Sequence, residues 1–464
     1  MAAREHERVI ESVGVKALHH RGMGDLMEKG RDFVLDVGDR PSPPAFLLLS
    51  LQHLFAMFGA TVLVPLLTGL DPSVALIASG IGTFVFMACT GGQVPAYLGS
   101  SFAFIAPIIA ASAIGGPVGA MIGCLVAGLV YVVLAAFLKI FGIGWLMRLL
   151  PPVVVGPIVI VIGLGLASVA VQMAQNTAGG GEYSLGHFLV ALATLGSILI
   201  YALVLRGFFT VVPILLGVLT GYAIAAAAGY VDYTPFHNYF DPVGGFELFR
   251  APDFTFFWRD LAPGVSVWEM ILLIAPVALV TLAEHIGHII VLSRVVGREY
   301  LERPGLARTL IGDGLATSAA ALIGGPPNTT YGENIGVLAI TRIFSVWVIG
   351  GAAVLAIVLG FVGILTAFLE TIPMAVIGGI SIALFGVIAA AGIRALIEGK
   401  VDLGDRRNLL IVSTILVLGI GGATLHFGEG GFEVSSMALA AVIGVLLNAI
   451  LPRRDTRDPA GPEI

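Results

Sequence analysis

Charge is scarce in this 464-residue chain. Asp, Glu, Lys and Arg make up 12% of it, apolar residues make up 57%, and mean hydropathy is +0.99. Soluble domains carry about 25% charged residues, so the composition excludes a water-soluble globular protein and predicts an integral membrane protein. Cysteine is nearly absent. Cys89 and Cys124 both sit in apolar runs, which argues against a disulfide framework or a cysteine-based metal centre. A strong net charge is also lacking: 24 Lys and Arg against 30 Asp and Glu leave −6, and no nucleic-acid partner is expected. Residues 1–40 contain no apolar h-region, so no cleavable signal peptide is expected.

What the chain does have is apolar runs of about twenty residues, the length a helix needs to cross hydrocarbon. That makes the expected class all-α rather than a barrel. Fourteen spans are predicted, near 46–66, 72–91, 93–113, 117–138, 151–174, 186–206 and 211–229, then 268–292, 305–324, 328–345, 346–369, 372–392, 407–423 and 433–451. A polar connector, 230–267, separates the halves. With both termini cytoplasmic, only Arg250 and Arg259 fall on the opposite side, leaving 22 of the 24 basic residues inside. This is the positive-inside pattern, and it predicts a multi-pass protein of the cell membrane. Seven spans followed by seven give the halves opposite topology, a 7+7 inverted repeat.

In each half the third span is interrupted. Gly99-Ser-Ser-Phe-Ala-Phe104 breaks span three and Asn328-Thr-Thr-Tyr-Gly-Glu-Asn334 breaks span ten. Matched interruptions in two halves mark a substrate site at the bilayer midplane. Phe102-Ala103-Phe104 and Thr329-Thr330-Tyr331 have strand propensity. Short antiparallel strands there would satisfy backbone groups that cannot go unpaired in lipid.

Ionisable residues within spans are costly and usually functional. Span eight holds Glu284, His285 and His288, span ten holds Glu333, span one His53 and span nine Asp313. Glu284 and His288 lie four apart, on one helical face, and form a candidate proton-coupling pair. Glu333 follows Gly332 where the interruption gives way to helix, and a helix start offers unpaired N–H groups. Ser101 and Phe102 hold the equivalent place in span three. Carboxylates as acceptors, backbone amides as donors, and Phe102 and Tyr331 as flat walls suit a small planar neutral heterocycle such as a nucleobase. No metal or other cofactor is expected, because Glu-His-x-x-His is not the metalloprotease order.

These residues resemble the nucleobase–ascorbate transporter family, and most closely its bacterial uracil-permease branch, from about Leu51 to Leu451. The motifs are Gln52-His-Leu-Phe-Ala-Met-Phe-Gly-Ala-Thr61, Pro95-Ala-Tyr-Leu-Gly-Ser-Ser-Phe-Ala-Phe104, Ala283-Glu-His-Ile-Gly-His288, and Glu333-Asn-Ile-Gly336 followed by Thr341-Arg342. The resemblance implies a core domain of spans 1–4 and 8–11 (46–138 and 268–369) and a gate domain of spans 5–7 and 12–14 (139–229 and 370–452). Tails at 1–45 and 453–464 flank them. It further implies that Glu284 hydrogen-bonds the base, that the amides of Phe102, Gly332 and Glu333 complete its contacts with Tyr331 nearby, and that His288 joins Glu284 in proton coupling. A homodimer through the gate domain is implied as well. Glu333, where purine and ascorbate members often carry glutamine, favours uracil. Phe385 departs from the tyrosine of close relatives.

The expectation is therefore uracil import coupled to protons. The alternatives are a xanthine, urate or other purine permease of the same family, an anion (sulfate or bicarbonate) transporter of related fold, and a membrane enzyme using the Glu-His-x-x-His cluster.

Overall fold

The computed structural model describes residues 35–177, 181–206, 209, 212–240, 249–426 and 433–452. The expected tails lie largely outside these, as does 241–248 of the connector. The described chain is overwhelmingly helical. Seven helical stretches are long and apolar enough to cross a membrane, and Pro213–Ala227, Val346–Gly360 and Ser436–Ile450 are shorter apolar helices.

Local chemistry sets the helix ends. Helix α1 (Pro43–Thr68) opens on proline, whose missing N–H costs nothing there. Asp71 caps α2 (Pro72–Thr90) by accepting from the Ser73 N–H at 2.7 Å. Strand β1 (Leu98–Ser100) and a 3-10 turn (Phe102–Phe104) lead into α3 (Ile105–Phe141). Spans three and four thus meet in one continuous element, kinked at Gly116, whose φ of 70° and ψ of 169° only glycine adopts freely. Next come α4 (Gly144–Leu149), α5 (Pro152–Leu164), α6 (Ala167–Gln175), α7 (Leu185–Val204) and α8 (Pro213–Ala227).

The connector carries α9 (Thr234–Tyr239) and α10 (Phe257–Asp260). The second half contains α11 (Val267–Ile274), α12 (Ala278–Val296), α13 (Leu306–Leu322), β2 (Asn328–Thr330) and α14 (Gly332–Thr341). Span eleven is two helices, α15 (Val346–Gly360) and α16 (Gly363–Glu370). At the break between them the Arg250 N–H reaches the Phe361 carbonyl at 2.9 Å. Then follow α17 (Met374–Glu398), α18 (Arg406–Ile420), the short pair β3 (Leu425–His426) and β4 (Glu433–Val434), and α19 (Ser436–Ile450).

The helices pack in two sets. In one, α13 lies against α2 and α3, α15 against α1 and α2, and α11 against α3. In the other, α17 lies against α5, α6 and α7, and α18 against α5 and α19. Where the sets meet, α12 touches α5 and α19, while α1 touches α8 and α17. Residues 35–40 form a strap across one end of the first set. The Phe344 and Val346 N–H groups donate to the Leu35 and Val37 carbonyls at 2.8 and 3.0 Å. Asp36 accepts two bonds from Arg298 at 2.8 Å, and the Arg40 guanidinium lies 3.9 Å over the Trp347 ring.

Candidate substrate site

Strands β1 and β2 pair antiparallel, with Leu98 opposite Thr330, Gly99 opposite Thr329 and Ser100 opposite Asn328. All six residues are buried. Two strands alone leave edge groups unsatisfied, so neighbouring side chains complete them. The Leu98 N–H donates to Thr83 Oγ1 at 3.0 Å. Thr317 donates to the Asn328 carbonyl at 2.5 Å, and the Asn328 amide donates to the Ala78 carbonyl at 2.7 Å. Beyond the pair, the Ser101 N–H reaches the Pro327 carbonyl at 2.8 Å and the Tyr331 N–H the Tyr97 carbonyl at 3.0 Å.

Each strand is followed by a helical turn with no side-chain cap: Ser101 precedes Phe102, and Tyr331 precedes Gly332. Their leading N–H groups carry the positive end of a helix and remain available to an acceptor. The Phe102 ring stands edge-on to Phe385 of α17, with centroids 6.0 Å apart. This contact links an element of one helix set to one of the other.

Helix α12 brings Glu284 and His288 alongside. Glu284 Oε2 is buried with no hydrogen-bond partner, as is Ser101 Oγ. His288 Nδ1 lies 3.2 Å from Thr330 Oγ1. Its Nε2 lies 3.2 Å from where a Cβ on Gly332 would sit. Glu333, half-buried in the first turn of α14, is one of the charges that bear on Glu284, the other being Asp313.

Tyr331 is committed to the strand pair. Its hydroxyl donates to the Ser100 carbonyl at 2.9 Å and accepts from Thr61 at 3.2 Å. Its ring lies so close to Gly99 that a Cβ there would come within 2.6 Å of Cζ. The largest cavity, about 430 Å³, lies elsewhere. It is lined by Asp71, Asp232, Asp253 and Glu370 with Arg250 among them, and by none of the residues singled out above.

Two polar linkages add to the residues flagged by sequence. The Asn334 amide donates to His53 Nδ1 and to the His53 carbonyl, both at 3.2 Å, tying α14 to α1. His285, fully buried, faces Thr309 and Asp313 of α13 and Thr330 of β2. The intramembrane position of His53 and Asp313 is visible in sequence, but Thr309, Thr330 and Asn334 carry no such signal.

Residues 44–428 match the Xan_ur_permease model, the Permease family. The chain belongs to this family. It is 56% identical over 421 residues to the uracil permease of Bacillus caldolyticus, covering 91% of this chain and 95% of that one. It is 44% identical over 417 residues to the uracil permease of Escherichia coli K12, covering 90% and 93%. Among solved structures, the transmembrane domain of the cyanobacterial bicarbonate transporter BicA superposes with a TM-score of 0.61 at 15% identity, covering 87% of this chain and 97% of that one. Murine Slc26a9, an anion transporter in its inward-facing state, gives 0.64 at 12% identity, covering 96% and 74%. At such identities the likeness is one of fold. Together these findings make the protein a membrane permease and a transporter, not an enzyme.

Proposed function

We propose that this permease imports uracil together with protons. The reading is carried by one observation: a buried, unpartnered carboxylate oxygen of Glu284 lies in the same neighbourhood as two uncapped helix starts, at Phe102 and Gly332. Uracil is planar, neutral and carries ring N–H donors and carbonyl acceptors, the complement of that set. Relatives named uracil permease at 44–56% identity support uracil over a purine. Glu284 accepts a ring N–H, the Phe102, Gly332 and Glu333 amides meet the carbonyl oxygens, and Ser101 adds a hydroxyl. Glu284 and His288 carry the coupled proton, and no cofactor takes part.

Fourteen crossings in two inverted halves place both termini in the cytoplasm. The core domain, 46–138 with 268–369, moves against the gate domain, 139–229 with 370–452, and the gate domain also forms a homodimer contact in the cell membrane. Support comes from the two packed helix sets and from the transporter folds it resembles. Coupling follows from solvation: a bare carboxylate carried past apolar helices costs at least about 2.5 kcal/mol at the bilayer centre, so the protonated, loaded site crosses more readily than the charged, empty one.

The test is uptake of radiolabelled uracil into vesicles with and without a proton gradient, challenged by unlabelled thymine, xanthine and urate. Uracil accumulation that collapses with the gradient is expected. Displacement by xanthine at lower concentration than by uracil would transfer the assignment to the purine branch, and accumulation indifferent to an ionophore would remove proton coupling.

A further inference from the structure

His285 has no place in the mechanism just described, yet it is fully buried and held on both ring nitrogens. Its Nε2 lies 3.1 Å from Thr309 Oγ1. Its Nδ1 lies 3.4 Å from Thr330 Oγ1 and 3.5 Å from Asp313 Oδ2. The Phe86 ring of α2 stands edge-on to it at 6.4 Å. Thr330 Oγ1 also lies 3.2 Å from His288 Nδ1. A single hydroxyl therefore joins two imidazoles.

The proton count along this chain has a direction. A hydroxyl has one proton to give, and a neutral imidazole has one N–H and one bare nitrogen. The Thr309 hydroxyl donates to the Leu306 carbonyl at 3.0 Å, so its oxygen accepts from His285, whose Nε2 bears the hydrogen. His285 Nδ1 is then bare and takes the Thr330 proton. The Thr330 oxygen in turn accepts from His288 Nδ1–H, which leaves His288 Nε2 bare. That is the nitrogen beside Gly332. The opposite direction requires an imidazolium at His285 paired with Asp313. Asp313 Oδ2 accepts from Thr329 at 3.3 Å, and its Oδ1 has no partner. An ion pair in so dry a place needs its remaining lone pairs satisfied, which disfavours that direction.

We infer that His285 is a positioning residue: through the Thr330 hydroxyl it sets which nitrogen of His288 holds the proton, and makes the nitrogen at Gly332 a hydrogen-bond acceptor. The polar groups facing His285 are Thr309 and Asp313 on α13 and Thr330 on β2, with Glu284 and His288 on its own helix. The consequence for uracil rests on the transport reading above: an acceptor at the start of α14 receives a ring N–H. The tautomer assignment itself does not rest on it.

The experiment reads the tautomer directly, by ¹⁵N NMR of the full chain labelled at histidine and held in lipid nanodiscs without uracil. The His288 signal is identified by its loss in His288→Asn. The Nδ1–H tautomer is expected in the parent protein. Thr330→Val shifts the signal toward Nε2–H, and Thr330→Ser, which keeps the hydroxyl, restores Nδ1–H. His288 found as Nε2–H in the parent protein, or unmoved by Thr330→Val, overturns the inference. A second reading uses uracil affinity. His285→Leu and Thr330→Val each weaken it about tenfold, and the double variant no further, since both cut one chain. Losses that multiply overturn it. If His285→Leu does not fold, the Thr330→Val and Thr330→Ser pair still decides. If the parent protein binds no uracil, the transport reading falls while the NMR result stands.

Discussion

His288 Nε2 stands 3.2 Å from the point where a Cβ on Gly332 would lie. The imidazole therefore rests on the first residue of α14, and glycine is what lets it come so close. Contacts of this length force a neighbour to yield by a few tenths of an ångström. Gly332→Ala is expected to push the ring off the helix start and weaken uracil binding about tenfold, with thermal unfolding of the purified protein little changed. Isothermal titration with uracil checks the first part and a melting curve the second. Full affinity in Gly332→Ala would separate His288 from the binding site.

Glu284 separates binding from coupling. Hydrogen bonds to a charged group contribute about 1.5–3 kcal/mol, so Glu284→Ala should weaken uracil binding by about one to two orders of magnitude and abolish uptake. Glu284→Gln keeps an acceptor but holds no exchangeable charge. Exchange of labelled for unlabelled uracil across the membrane should survive in it, while accumulation driven by a proton gradient is lost. Gradient-driven accumulation in Glu284→Gln would place the coupling proton elsewhere.

Phe102 and Phe385 meet edge to face across the two helix sets. Such aromatic pairs contribute about 0.5–1.5 kcal/mol beyond the area they bury. Phe385→Leu should therefore raise the concentration of uracil at half-maximal uptake by about twofold to tenfold. Phe385→Tyr, which keeps the ring, should stay near the parent value. Equal losses in both variants would show that the edge contact itself contributes nothing.

Much of this was legible in the sequence, for physical reasons. A bilayer demands about twenty apolar residues in a row and scarce charge, so membrane class and helical character follow from composition and run length. Family membership follows from dense local motifs such as Ala283-Glu-His-Ile-Gly-His288. Relations between distant residues are another matter. That Gly99 faces Thr329, or that the Tyr331 hydroxyl is taken up by Ser100 and Thr61, depends on contacts across more than two hundred residues that no local period encodes. The ring of His285 between Thr309, Asp313 and Thr330 depends on how α12 lies over α13. Thr309 and Thr330 are neutral and common, so nothing in their identity advertises a role. The division of span eleven at Phe361 and Val362 is hidden for a similar reason: the connector supplies a backbone partner to Phe361 and a bridge to Val362, and composition shows only a continuous apolar run.

Close helix packing gives the last expectation. A Cβ on Gly128 of α3 would fall 2.4 Å from the Gly314 carbonyl and 2.3 Å from Ser318 Oγ on α13, and one on Gly314 would fall 2.5 Å from the Gly128 carbonyl. The two backbones are thus in direct contact, the arrangement small residues permit in membranes, where association rests on packing rather than on expulsion of water. The obstacle is mostly backbone, which cannot rotate aside as a side chain does. Gly128→Val should force α3 and α13 apart and destabilise the protein by about 1–3 kcal/mol, seen as a lower melting temperature in detergent. Because α13 carries Asp313 and Thr309, the same variant should also reduce uracil affinity. Gly196 of α7, where an added Cβ meets nothing within 4 Å, is the control. Gly196→Ala should leave both quantities unchanged, and a matching loss there would trace the effect to glycine replacement in general rather than to this interface.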